Sequence, residues 1–83
     1  MIVEWQNTFN IIQNIIAQQL GISSAEVHLD STFDSLGADS LDRVEIIMNI
    51  EEECHVTLDD KKIDTLKTVK DAVDYVHSLR TAQ

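Results

Sequence analysis

The chain has 83 residues, of which 43% are hydrophobic and 25% charged, as is usual for one small globular domain spanning residues 1–83. Fifteen acidic and six basic residues give a formal net charge of −9. This negative charge argues against binding to nucleic acid or to anionic membranes, which attract basic proteins. The charge favours basic protein partners, although acidity can also serve solubility alone.

The first predicted element is an amphipathic helix over about residues 3–20. Its apolar residues recur three or four positions apart, which is the spacing of one helical face: Trp5, Phe9, Ile12, Ile16 and Leu20. Gly21 follows where a C-terminal cap belongs. The chain contains no proline and only two glycines, and this shortage of helix breakers favours helices over strands.

A polar connection over residues 22–39 follows, and it is long for an unstructured loop. We expect four apolar residues to hold it against the core: Val27, Leu29, Phe33 and Leu36. Gly37 and Ala38 then supply a turn, and Asp39 is a candidate N-cap for a second helix over about residues 40–54.

Two further helical elements are predicted after the second helix. A short turn over about residues 59–63 would be capped by Asp59, and the last helix opens with the capping-box-like sequence Thr68-Val69-Lys70-Asp71. The last helix carries an apolar stripe: Val69, Ala72, Val73, Val76 and Leu79. The predicted fold is therefore all-α, a four-helix bundle with a long first loop and a short third helix.

The second helix has two apolar faces. With about 100° per residue from Leu41, one set lies between roughly 140° and 240° and forms an ordinary core face: Ile46, Ile47, Ile50 and Cys54. A second set lies opposite: Leu41, Val44 and Met48. Carboxylates border this second set: Glu45, Glu51 and Glu52. Such a surface suits docking of a basic partner, unless Leu41 and Met48 pack on the long connection and the third helix.

Ser40 lies where the long connection meets the second helix. Exposed backbone N–H groups and the positive end of the helix dipole favour an attached phosphate there. A nucleophilic serine needs a base within hydrogen-bond reach, and the histidines, which we interpret as surface residues, are scattered: His28, His55 and His77. We therefore expect no catalytic triad, and Ser40 is either a plain first-turn residue or a residue modified by another enzyme.

The same segment resembles a known family. Gly37-Ala38-Asp39-Ser40-Leu41-Asp42, followed by Val44-Glu45 and Glu51-Glu52-Glu53, is similar to the phosphopantetheine attachment region of acyl carrier proteins. The resemblance is closest to the discrete carriers of bacterial-type fatty acid synthesis. It extends to Gln19-Leu20-Gly21 and to the last helix, and it implies a non-catalytic protein that carries acyl groups as thioesters.

The resemblance implies roles for the matching residues. Ser40 would bear 4′-phosphopantetheine, transferred from coenzyme A by a phosphopantetheinyl transferase, and Asp39 matches the acidic residue before that serine. The implied partner-binding residues are three apolar and three acidic side chains: Leu41, Val44, Met48, Glu45, Glu51 and Glu52. The implied partners are ketoacyl synthases, reductases, dehydratases and acyltransferases with basic docking patches, and we expect a monomer.

Four positions depart from the family pattern and leave the pathway open. Arg43 puts a cation inside the acidic patch, Cys54 replaces a usual core phenylalanine, Leu58 replaces a frequent proline and Ser35 a frequent acid. A specialised carrier for a polyketide, peptide or other dedicated pathway is the main alternative, although residues 37–40 favour the fatty acid type. A plain interaction bundle is a further alternative.

Other chemistry and other compartments are disfavoured. An acidic loop from Asp30 has Ser35 and Leu41 where a calcium loop needs Gly and Glu. The single cysteine, Cys54, excludes an internal disulfide, and no Cys/His cluster suggests a metal site. Residues 1–5 lack the features of a signal peptide and no stretch approaches transmembrane length, so we expect a cytoplasmic protein unless a targeting segment was removed.

Overall fold

A computed structural model describes residues 3–82 of the chain. Within these residues the chain forms four α-helices and no strand: α1 (Trp5–Leu20), α2 (Ser40–Cys54), α3 (Asp60–Ile63) and α4 (Val69–Thr81). A single 3-10 turn, Ser24–Glu26, interrupts the long connection between α1 and α2. The predicted four-helix fold with a long first loop and a short third helix is confirmed. None of the helices in residues 3–82 combines the length and the apolar character needed to cross a bilayer.

Helix α1 begins at Trp5, two residues later than predicted. Glu4 is extended (φ −83°, ψ 141°), and its side chain makes no cap hydrogen bond. The predicted cap at the other end is confirmed, because Gly21 takes the left-handed conformation (φ 67°), which a residue without Cβ adopts easily, and donates its N–H to the Ala17 carbonyl. The buried face of α1 contains Thr8, Ile12, Ile15, Ile16 and Ala17.

The long connection is fixed to the bundle along its length. Val27 and Phe33 are buried as predicted, and Leu29 and Leu36 are half-buried. Two backbone hydrogen bonds tie the segment to the start of α4, because Val69 N–H donates to the Ser31 carbonyl and Lys70 N–H to the Leu29 carbonyl, both at 2.9 Å. These contacts fix the position of the connection where it leads into the start of α2.

Helices α1, α2 and α4 share one core. The inward face predicted for α2 is buried at Ile46, Ile50 and Cys54, and Ile47 packs against the core from a half-buried position. The predicted α4 stripe is buried too, except that Leu79 is only half-buried. With its core face turned inward, α2 leaves its opposite face to solvent.

Polar contacts join the ends of α1 and α4. Arg80 donates to the buried Thr8 hydroxyl at 2.8 Å, and the Nδ1 atom of His77 lies 3.1 Å from the same hydroxyl. The interpretation of the histidines as surface residues is therefore wrong for His77, which is half-buried, whereas His28 and His55 are exposed.

Helix α4 begins with a complete capping box, as the sequence predicted. Asp71 N–H donates to the Thr68 hydroxyl at 3.1 Å, and the Asp71 carboxylate accepts from the N–H groups of Thr68 and Lys67, also at 3.1 Å. The backbone N–H groups of Thr68 and Lys67 lower the pKa of the Asp71 carboxyl below its usual value.

We expect the stability supplied by Asp71 to depend on pH. Because its pKa is lower in the folded than in the unfolded chain, its contribution is complete above the unfolded value, about 3.9, and is lost as the pH falls through the folded value. Asp71→Asn should lower the free energy of unfolding at pH 7 by about 0.5–1 kcal/mol, and the difference should shrink below about pH 4.

Urea unfolding between pH 3 and pH 7 measures this difference. Asp34→Asn is the matched control, since the exposed Asp34 side chain accepts no hydrogen bond from the described residues, and it should leave the unfolding free energy nearly unchanged. A difference between Asp71→Asn and wild type that stays constant over the whole range would contradict the capping role.

Candidate functional site

Ser40 is the first residue of α2, and its side chain is exposed. Its neighbours provide the helix cap: the Asp39 carboxylate accepts from Asp42 N–H at 2.8 Å, and the Asp42 carboxylate accepts from Asp39 N–H at 3.3 Å. The prediction of Asp39 as the N-cap is thus confirmed. Among residues 3–82, the Ser40 hydroxyl has no hydrogen-bond partner.

The turn before α2 brings the chain from the core to the surface. Ala38 N–H donates to the carbonyl of the buried Phe33 at 3.0 Å, and Gly37 N–H donates to the Asp34 carbonyl at 3.1 Å. Gly37 has a positive φ of 84°, which glycine adopts without the steric cost of a Cβ. Ala38 is buried, and the two residues after it, Asp39 and Ser40, are exposed.

A groove of about 480 Å³ opens beside Ser40. Its lining comes mainly from α2 and from residues 58–66, which we call the far wall, and Ala72 and Val76 of α4 also contribute. The apolar lining includes Ile46, Ile47, Ile50, Leu58, Ile63 and Leu66. A groove of this size and character is typical of a site for an apolar ligand.

Sequence reasoning did not identify the far wall of this groove. The signal was present in Leu58, Ile63 and Leu66, three apolar residues in an otherwise charged and polar stretch. They were not recognised because helix α3 has only four residues, too few for a periodic pattern.

The outward face of α2 exposes three large apolar side chains. Leu41 is 65% exposed, Val44 54% and Met48 60%. The alternative in which Leu41 and Met48 pack on the long connection and the third helix is therefore not what the structure shows. Single exposed apolar residues are ordinary, but three on one helical face form a patch.

The three predicted docking acids differ in their surroundings. Glu45 accepts a hydrogen bond of 2.6 Å from the side chain of Gln19 on α1. Glu51 is half-buried and accepts from the N–H of Leu58 at 2.8 Å, so it also holds the segment after α2 in place. Glu52 is exposed, and its carboxylate accepts no hydrogen bond from the described residues.

Two departures from the family pattern have structural explanations. Cys54 is a buried core residue, as predicted, and burial raises the pKa of its thiol, which disfavours the nucleophilic thiolate. Leu58 is buried and its N–H donates to Glu51, a hydrogen bond that proline could not make.

A small helical bundle that presents one free hydroxyl beside an apolar groove is suited to carrying a tethered group. Residues 10–76 match the phosphopantetheine attachment site family, PP-binding. The match covers most of the chain, and the protein belongs to this family. It is a phosphopantetheine carrier, and 4′-phosphopantetheine is its covalently attached prosthetic group. Carrier domains of this family are generally non-catalytic and interact with modifying enzymes and synthases.

The residues present fit this prosthetic group. A phosphodiester needs an accessible hydroxyl, and the Ser40 hydroxyl is exposed and not used in the helix cap. An arm that ends in an acyl chain needs an apolar surface within reach, and Ser40 itself lies on the rim of the groove.

Proposed function

We propose that Ser40 bears the phosphopantetheine arm and that the protein carries acyl chains for fatty acid synthesis. The observation that supports this most strongly is the exposed Ser40 hydroxyl, which has no partner among the described residues and lies at the edge of an apolar groove. A phosphopantetheinyl transferase would form the bond from the Ser40 oxygen to the phosphorus that carries the pantetheine of coenzyme A. The pyrophosphate linkage of coenzyme A would break, adenosine 3′,5′-bisphosphate would leave, and the Ser40 hydroxyl proton would pass to a base. We expect the transferase to supply the base, since no described side chain accepts a hydrogen bond from this hydroxyl.

The bound arm supplies the thiol on which an acyl thioester forms. The chain's own residues position the arm and shelter what it carries. Ser40 fixes the point of attachment, Asp39 and Asp42 hold the first turn of α2 in register, and the groove offers the acyl chain an apolar environment.

The groove favours an unsubstituted aliphatic chain. Its buried lining residues are all apolar, and the polar lining residues, Ser40, Arg43, Glu51, Asp60 and Asp64, are exposed or half-buried. A hydroxyl or keto group buried among such side chains would lose its hydrogen bonds to water without replacement. This favours fatty acid synthesis over the alternative, a specialised carrier for a polyketide, peptide or other dedicated pathway.

The acyl class is tested by measuring how fast hydroxylamine cleaves the thioester. Burial of four methylenes of the acyl chain in the groove favours the groove-bound chain over the solvent-exposed chain by about 3 kcal/mol. An octanoyl thioester on the protein should therefore react with hydroxylamine at least about tenfold more slowly than octanoyl-phosphopantetheine in solution. A chain of similar length with two hydroxyl groups should gain little protection. Equal rates for free and protein-bound octanoyl thioesters would contradict the sheltering role.

Two matched variants locate the protection. Leu66→Trp fills the half-buried far wall of the groove and should remove most of the protection. Leu36→Trp makes the same change at a half-buried residue outside the groove lining and should keep it. Equal protection in both variants would show that the octanoyl chain does not occupy this groove.

We further propose that the outward face of α2 is the docking surface for partner enzymes. Leu41, Val44 and Met48 would supply the apolar contact, and Glu45, Glu51 and Glu52 would meet basic side chains of the partner. The face begins one residue after Ser40, so an enzyme bound to it would have the attached arm at the edge of its contact area.

A further inference from the structure

Arg43 is the only basic residue among residues 26–60, a stretch that contains eleven of the fifteen acids. Its guanidinium carbon lies 5.4 Å from the centre of the Phe33 ring. Phe33 is buried, so the ring gives the cation a fixed surface to lie on. Among the described residues, no carboxylate forms an ion pair with this guanidinium, and its N–H donors are available for a ligand.

Arg43 and Ser40 belong to one site. They are three residues apart on α2, which brings their side chains to neighbouring positions on the helix surface, about 5–6 Å apart at Cβ. Both line the same groove, together with Phe33. A group attached to the Ser40 oxygen therefore begins within reach of the Arg43 side chain.

The charges around Ser40 indicate which ligand Arg43 would bind, namely a phosphate attached to Ser40. Asp39 and Asp42 flank the attachment point and are held there by the N–H groups that they cap. A phosphodiester on Ser40 adds a further negative charge to this site. Arg43 supplies the opposite charge there, and its planar fork of donors matches phosphate oxygens.

We propose that Arg43 binds the phosphodiester of the prosthetic arm and is a positioning residue that holds the first part of the arm against the groove rim. This inference rests on attachment at Ser40. Phe33 fixes the guanidinium, the guanidinium fixes the phosphate, and the rest of the arm starts at the mouth of the groove. The acyl chain is thereby biased towards the groove until a partner enzyme withdraws it.

The two arginines of the chain make a direct test possible. Arg43 and Arg80 each give one Nε–Hε signal in a proton–nitrogen correlation spectrum, and Arg80 is an internal control because it is held at a distant site by Asn7 and Thr8. Conversion of apo to holo protein should shift the Arg43 signal and slow its hydrogen exchange about threefold, as a partly exposed ion pair would. The Arg80 signal should not change.

Variants separate the phosphate contact from general electrostatics. Because the Arg43 contact with the phosphodiester forms only in the holo form, we expect conversion to the holo form to raise the melting temperature. This gain should be largely lost in Arg43→Gln and retained in Lys62→Gln, which removes the same charge from an exposed position outside the groove lining. Phe33→Leu should reduce the shift of the Arg43 signal, since the guanidinium then lacks its aromatic support.

Intact mass must first show complete conversion to the holo form. If no conversion occurs, attachment at Ser40 is wrong. If conversion is complete but the Arg43 signal does not move, or Arg43→Gln and Lys62→Gln lose the same stabilisation, only the role of Arg43 is overturned.

Discussion

Ser40→Ala is expected to abolish attachment of phosphopantetheine completely. The chain offers the transferase one hydroxyl that starts a helix, is exposed and has no hydrogen-bond partner among the described residues. Removing a single oxygen at an exposed position should leave the free energy of unfolding within about 0.5 kcal/mol of wild type. Intact mass after incubation with coenzyme A and a broad-specificity transferase measures the loss.

Ser35→Ala is the matched control for this experiment. Ser35 is also an exposed serine close to α2, but its hydroxyl is engaged, since it donates to the Thr32 carbonyl at 2.8 Å. This variant should be converted as completely as wild type. Conversion of Ser40→Ala would exclude Ser40 as the attachment residue, and failure of Ser35→Ala with its fold intact would show that loss of conversion is not specific to Ser40.

Charge reversal on the outward face of α2 should give the second large effect. Glu52→Lys is the most informative change because this exposed carboxylate makes no internal hydrogen bond with the described residues, so its loss should not perturb the fold. We expect kcat/KM of a ketoacyl synthase for the loaded carrier to fall about tenfold at low salt and to approach the wild-type value at about 1 M salt, where screening is strong. Steady-state kinetics at several ionic strengths measure this.

Glu53→Lys controls for net charge. Glu53 is exposed on the same helix but points about 100° away from Glu52, outside the proposed docking face. Its charge reversal should lower kcat/KM much less. Leu41→Ala should lower kcat/KM at every salt concentration, since it removes apolar contact rather than charge. Equal effects of Glu52→Lys and Glu53→Lys would show that the synthase senses only overall charge.

The structure limits the use of Glu51 in such experiments. Its carboxylate accepts the Leu58 N–H, so Glu51→Lys would disturb the segment after α2 as well as any docking contact. From the sequence alone, Glu45, Glu51 and Glu52 received the same docking role, because they border the same face of the helix. Their separate hydrogen-bond partners, which depend on residues distant in the chain, could not be read from that pattern.

Local signals predicted the helices well because they act within a few residues. The caps at Gly21, Asp39 and Thr68 were identified from residue type and position, and the structure confirms each of them. The 3-10 turn was missed, although Ser23 and Glu26 have the spacing of a capping box and form one. The turn has only three residues and no apolar stripe, so periodicity gave no signal for it.

Features that depend on tertiary contacts were not predictable. The contact of Arg43 with Phe33 joins two residues ten positions apart, and the contact of His77 with Thr8 joins the two ends of the chain. The groove likewise needs α2 and residues 58–66 to be placed against each other. Helical periodicity can show that a face is apolar, but it does not show what lies opposite.

The mass of the intact protein isolated from its native host tests the central claim most directly. We predict the mass of the chain plus one phosphopantetheine, with a further aliphatic acyl mass on part of the population that hydroxylamine removes, and with the modification located at Ser40. A chain that stays unmodified, even after treatment with a transferase that converts a control carrier, would contradict the assignment of Ser40. An arm that carries only aminoacyl or polyhydroxylated chains would contradict the role in fatty acid synthesis.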